Sequence, residues 1–160
     1  MTRAGRRSRL ETSKLNATFT VALFTSRVAP RKADFVSAGA FWMNARVLVV
    51  DDEVHLAAAA AQRLTDEGFK VDVAHDGEEG LEKLVAGAYD VVVTDVSMPI
   101  LSGPEMLNRA QAQSGTLQRC VIVGGYAPDA ASVKGLEHAC WMVRPVSLPD
   151  LVAAVKAQLS

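Results

Sequence analysis

The sequence predicts an α/β protein: five βα units forming a doubly wound parallel sheet in the strand order 2-1-3-4-5. Three observations carry that prediction. Val91-Val92-Val93-Thr94 and Val47-Leu48-Val49-Val50 are β-branched, largely apolar runs, as strands buried on both faces require. Each run ends in acid, Asp95 after the first and Asp51-Asp52-Glu53 after the second. Around them, strand-like runs alternate with helix-like segments across short turns, which implies a parallel sheet with helices on both faces.

The elements follow in order. Arg46–Val50 is the first strand. Glu53 to about Glu67 reads as a helix, Ala-rich from Ala57 to Ala61 and stopped by Gly68. Lys70–Ala74 alternates, with Val71 and Val73 on one face, and suits a strand nearer an edge. Asp76 reads as an N-cap, with Glu79 three residues on to complete a capping box. Leu81, Leu84 and Val85 line one face of the helix that follows, and Gly87 ends it. Asp90–Thr94 is the third strand; Pro99, with no N–H to give, keeps it from running far beyond Asp95. Gly103-Pro104-Glu105 opens a helix through about Ala112, with proline tolerated in its first turn. Val121–Val123 is a fourth strand, Pro128 to about Glu137 a fourth helix, and Cys140–Val143 a fifth strand. Ser147 caps a last helix from Leu148 to about Leu159.

Length and charge divide the chain. Its 160 residues, 49% hydrophobic, suit one domain with a packed core. The formal net charge of -1 hides an asymmetry: eight basic and two acidic residues precede Asn44, and nine basic and sixteen acidic follow it. Residues 1–43 show no sustained periodicity and read as a basic, disordered tail, or as a start assigned too early, because Met43-Asn44-Ala45 directly precedes the first strand. Their Arg- and Ser-rich composition also fits a transit peptide. Residues 44–160 form the domain. Its acidic balance argues against direct nucleic-acid binding. No apolar run approaches the roughly 20 residues that span a bilayer. Cys120 and Cys140 lie in apolar stretches without metal-ligand spacing and read as buried small hydrophobes in a reducing compartment. His55, His75 and His138 are scattered without ligand spacing.

The two acidic strand ends carry the chemistry. Ligands bind outside the carboxyl ends of strands in open α/β sheets, where the strand order reverses. In the order 2-1-3-4-5 the first and third strands are neighbours there, and Asp51, Asp52 and Asp95 converge. Three carboxylates at close range repel one another unless a cation joins them. Hard oxygen donors suit Mg²⁺, which typically takes one or two carboxylates and keeps several waters. The bland readings are that Asp51 and Asp52 cap the following helix and that Asp95 is a turn residue before Met98-Pro99.

These residues resemble the receiver domain of two-component response regulators, from about Ala45 to Leu159. The resemblance rests on VLVVDDE, then VVVTDVSMPILSG, then RPVSLPDL, in that order. It implies a flavodoxin-like fold and names Asp95 as the phosphoacceptor. The Asp95 carboxylate would attack the phosphorus of a phosphohistidine on a sensor histidine kinase or phosphotransfer protein, giving an acyl phosphate. Asp51 and Asp52 match the acidic pair that holds Mg²⁺ with Asp95, and Ser97 the position whose backbone carbonyl completes that site. Gly103 matches the glycine in the turn after the acceptor. The resemblance further implies a cytoplasmic signalling protein that is no enzyme beyond its own phosphorylation and dephosphorylation. It would act on a downstream protein partner through the face of the fourth helix, fifth strand and fifth helix. Because the sequence stops just after the fifth helix, no output domain is expected.

Two positions depart from the family. Where it usually carries Thr or Ser at the end of the fourth strand, this chain has Gly124, or Gly125 in a register one residue later, and neither brings a hydroxyl. Where it usually carries Lys before a proline, this chain has Arg144, which keeps the charge but is longer, planar and forked. Arg144 reads either as a phosphoryl contact or as a salt-bridge partner of the acids. Trp141 matches the aromatic that moves inward with the missing hydroxyl, or is ordinary packing at a sheet edge. The departures motivate a rival reading, a pseudo-receiver that binds partners without phosphorylation. A metal-dependent hydrolase with an Asp nucleophile lacks a second general acid, and a flavin site lacks a hydroxyl-rich phosphate cradle.

Overall fold

The structure, a computed structural model, describes residues 41–160. Residues 1–40, most of the stretch expected to be a tail or transit peptide, lie outside the described residues. The elements are β1 (Arg46–Val50), α1 (Val54–Asp66), β2 (Lys70–Ala74), α2 (Gly77–Ala86), β3 (Val91–Asp95), α3 (Gly103–Ser114), β4 (Cys120–Gly124), α4 (Ala130–Val133), β5 (Cys140–Val143) and α5 (Leu148–Leu159). The five strands form one sheet in the order β2-β1-β3-β4-β5, every neighbouring pair parallel. This is the flavodoxin-like arrangement the sequence predicts.

Alternation along the buried strands builds two cores. Val47, Val49, Val91, Val93, Val121 and Val123 face one side and meet Ala57 and Leu64 of α1 and Leu151, Val152 and Val155 of α5. Leu48, Val50, Val92, Cys120 and Ile122 face the other side and meet Leu84 of α2 and Met106, Leu107 and Ala110 of α3. A strand covered on both faces has no solvent side, so its sequence is apolar throughout rather than alternating. Full burial of each such side chain contributes about 1.5–3 kcal/mol. The outer strand β2 does alternate, with exposed Lys70 and Asp72 between half-buried Val71 and Val73.

The caps expected at Asp76 and Ser147 form, but the capping box does not close, because Glu79 Oε2 accepts the His75 N–H at 2.8 Å rather than that of Asp76. Asp76, Ser102 and Ser147 each accept the backbone N–H three residues on, from Glu79, Glu105 and Asp150. Pro104 and Pro149 sit in first turns, where no N–H is missed. The fourth helix is the main difference. Instead of running from Pro128 to about Glu137, α4 is four residues, Ala130–Val133, capped by Asp129. The segment has no amphipathic stripe to hold a longer helix on the sheet, and Gly135 turns it with φ 82°. Leu136 alone goes fully into the core.

The turn before β1 is part of the packing. Trp42 lies against the α1–α5 core, with Lys156 Nζ 4.4 Å from its ring centroid. Asn44 N–H donates to the Gly68 carbonyl at 2.9 Å. Among the described residues no helix is long and apolar enough to cross a membrane.

Candidate functional site

Sheet register brings the site together. Val50 on β1 pairs with Thr94 on β3, so Asp51 and Asp95 leave the sheet side by side. On the other flank Asp95 pairs with Val123 on β4, and Gly124 pairs with Val143 on β5. The Arg144 N–H donates to the Gly124 carbonyl at 2.8 Å, which starts the chain after β5 over the end of β4. Four residues from four separate runs of sequence, Asp51, Asp95, Gly124 and Arg144, thus meet at the carboxyl edge.

Arg144 joins the two acids. Its Nη1 is 3.2 Å from Asp95 Oδ1, and its Nη2 donates to Asp51 Oδ2 at 3.3 Å. One guanidinium therefore spans both carboxylates, one arm to each. The Asp95 side chain is 6% exposed, that of Asp51 13% and that of Arg144 34%. Asp51 also accepts the Glu53 N–H through Oδ1 at 2.9 Å, a turn just before α1. Glu53 is the N-cap residue of α1, and its side chain makes no capping bond.

Burial dominates the acidity of both groups. It pushes the Asp95 carboxyl above its ordinary value. Arg144 and the Val96 and Ser97 amides pull it back, and the Asp51 charge adds to the rise. Asp51 is also raised, by burial first. The Glu53 N–H and Arg144 oppose that rise, and the Asp52 and Glu53 charges reinforce it. Asp52 is exposed, as are Ser97 and His55. Among the described residues no three His, Cys, Asp or Glu side chains are gathered closely enough to hold a metal ion by themselves. The donors that are gathered are Asp51 and Asp95, with Asp52 beside them in the chain. A cation already bridges that pair, so its geometry and charge fit a cation, and hard carboxylate oxygens fit Mg²⁺.

Gly124 is where the missing hydroxyl matters. A Cβ there would stand 2.9 Å from Cγ2 of Val96, closer than side-chain carbons pack. Gly125 is exposed, and a Cβ on it would meet nothing within 4 Å. The methyl of Val96 thus fills the space beside Gly124. Sequence reading missed Val96, because its place against Gly124 depends on the β3–β4 register rather than on any spacing. Trp141 is half-buried, and its indole N–H is enclosed without a partner among the described residues. Gly103 packs against the Asp95 carbonyl so tightly that a Cβ would collide with that backbone.

A cleft of about 650 Å³ opens from this edge between α1 and α5, with Asp51, Asp95 and Arg144 at one end and Leu56, Leu148 and Leu151 along it. The alanines of α1 leave that space, since Ala59 and Ala60 line it without filling it. The cysteines lie away from the site. Cys120 is fully buried, its thiol pushed up to about 12 by burial, and Cys140 is half-buried; both are unpaired.

Comparison with known proteins agrees with the geometry. Residues 47–156 match the response regulator receiver domain family. Response regulator ArlR of Staphylococcus aureus (strain MW2) is 29% identical over 116 residues, which is 71% of this chain and 52% of that protein. The chain thus spans about half the length of that relative. Among solved structures, the CheY-like receiver domain protein of Methanospirillum hungatei JF-1 is 29% identical, with TM-score 0.65, over 72% of this chain and 94% of that one. Response regulator TrrA of Thermotoga maritima, solved in complex with Mg²⁺-BeF, is 28% identical, with TM-score 0.63, over 71% of this chain and 98% of that one. The chain belongs to the response regulator receiver domain family, the signalling modules of two-component systems.

Proposed function

We propose that this chain is a phosphoacceptor receiver, taking a phosphoryl group onto Asp95 from a phosphohistidine on a sensor histidine kinase or phosphotransfer protein. The carrying observation is the Asp95 carboxylate, 6% exposed at the end of a buried strand and 3.2 Å from the Arg144 guanidinium. An Asp95 oxygen attacks the phosphorus. The O–P bond forms as the N–P bond breaks, and the imidazole nitrogen keeps the electron pair. Asp51, Asp52, Asp95 and the Ser97 carbonyl would hold Mg²⁺, which when bound neutralises charge on the transferring oxygens. Arg144 supplies a permanent positive charge next to the acceptor. Burial raises the pKa of carboxylates that lack enough positive charge, as at Asp51 and Asp95, and a cation seated there would offset that cost. The downstream partner would read the α4–β5–α5 face, where α4 is a single turn and Trp141 lies half-buried.

Intact mass after incubation with acetyl phosphate and Mg²⁺ tests this. The proposal expects a gain of one phosphoryl group that needs the metal and is absent in Asp95→Asn. Absence of any gain in folded protein contradicts it.

One observation favours a second reading. Gly124 has no hydroxyl, and Val96 occupies the space beside it. In a pseudo-receiver the same fold binds partners with phosphorylation uncoupled from the α4–β5–α5 face. Unchanged partner affinity between phosphorylated and unmodified protein would support it.

A further inference from the structure

The cation already present at the acidic edge belongs to the chain itself. Arg144 reaches Asp51 with one arm and Asp95 with the other, at 3.3 and 3.2 Å. We infer that Arg144 acts as an internal cation that competes with a divalent metal for Asp51 and Asp95, and so sets how tightly the site holds that metal. This rests on the acceptor reading above, in which those carboxylates take Mg²⁺.

The argument turns on the shape of the side chain. A guanidinium is a planar fork whose arms engage two acceptors at once. An ammonium is a compact point charge that can sit on one carboxylate and leave the other free. Here the fork occupies one oxygen of each acid, Oδ2 of Asp51 and Oδ1 of Asp95. A metal seated between those strand ends needs the same carboxylates, and a like charge beside it repels it. Burial strengthens both effects, because neither Asp95 nor Asp51 is well screened by solvent. The main chain anchors the clamp, since the Arg144 N–H is tied to the Gly124 carbonyl at 2.8 Å. The side chain remains 34% exposed and has room to swing outward when displaced. Metal uptake then requires breaking two ion pairs.

The test is metal affinity, read without any phosphoryl transfer. Free Mn²⁺ is counted by electron paramagnetic resonance during titration of the wild type, Arg144→Lys and Arg144→Met, each checked for folding by circular dichroism. Affinity is expected to rise in that order, with the methionine variant binding Mn²⁺ at least about tenfold more tightly than the wild type. Adding Asp95→Asn to each background is expected to weaken binding, which places the metal at this edge. Three results overturn the inference: a lysine variant equal to the wild type, a methionine variant no tighter than the wild type, or binding indifferent to Asp95→Asn. If the methionine variant does not fold, the lysine comparison decides alone. Failure of the acceptor reading leaves a different mark: no variant gains phosphoryl mass from acetyl phosphate, whatever its metal affinity.

Discussion

A Cβ placed on Gly124 would lie 2.9 Å from Cγ2 of Val96, so the residue after the acceptor occupies the space a side chain at the end of β4 would use. The loss of the hydroxyl and the presence of Val96 are two sides of one packing arrangement. A hydroxyl cannot simply be restored at position 124.

Gly124→Ser alone is expected to destabilise the fold by about 1–3 kcal/mol through overpacking. Gly124→Ser with Val96→Ala is expected to recover most of that loss, because the smaller side chain vacates the space. Urea denaturation midpoints of the wild type, both single variants and the double variant measure the coupling directly. Additive effects of the two substitutions would show that Val96 and Gly124 do not compete for space.

The loop after Asp95 stores backbone strain. Ile100, a β-branched residue 78% exposed, adopts φ 71° in the left-handed region. That conformation costs an L-residue roughly 1–2 kcal/mol, and asparagine tolerates it better. Ile100→Asn is expected to raise stability by about 1 kcal/mol in thermal or urea unfolding, since the exposed side chain gives up little packing.

Asp95 makes stability depend on pH. Its carboxyl is raised above the ordinary 3.8 in the fold, chiefly by burial. A raised carboxyl binds its proton more tightly folded than unfolded, so its contribution is most favourable while it is protonated. That contribution is lost as pH climbs from about 3.8 through the folded value, and stays lost above it. Asp95→Asn removes the titration. Without added metal, the variant is expected to melt above the wild type at pH 7, and the gap is expected to shrink as pH falls toward 4. Thermal unfolding monitored by circular dichroism across that range checks both the sign and the window.

What the sequence revealed, and what it hid, follows from the range of the interactions. The apolar runs at Val47–Val50 and Val91–Thr94 could be read directly because strands buried on both faces leave no polar positions. The caps at Asp76 and Ser147 were equally legible, since each is a contact three residues long. Strand ends were less so. β3 takes in Asp95 and β4 takes in Cys120 and Gly124, because the ladder runs from the Val92 N–H on the Arg119 carbonyl to the Val96 N–H on the Val123 carbonyl, each at 2.9 Å. Residues 128–137 read as a helix in the sequence, but only Leu136 among them has a core to enter. The clamp of Arg144 on Asp51 and Asp95 joins residues 93 and 49 positions apart in sequence. Its choice of both acids at once depends on side-chain reach. The packing of Trp42 on Lys156 has no local signal at all.

The most direct test of the central claim is to find the phosphoryl group on the chain. Protein incubated with acetyl phosphate and Mg²⁺ is reduced with borohydride, which converts an acyl phosphate on aspartate to homoserine, and its peptides are sequenced by mass spectrometry. Homoserine at position 95, and at neither Asp51 nor Asp52, is the expected result. Homoserine at another aspartate, or none in folded protein that binds Mg²⁺, would contradict Asp95 as the acceptor.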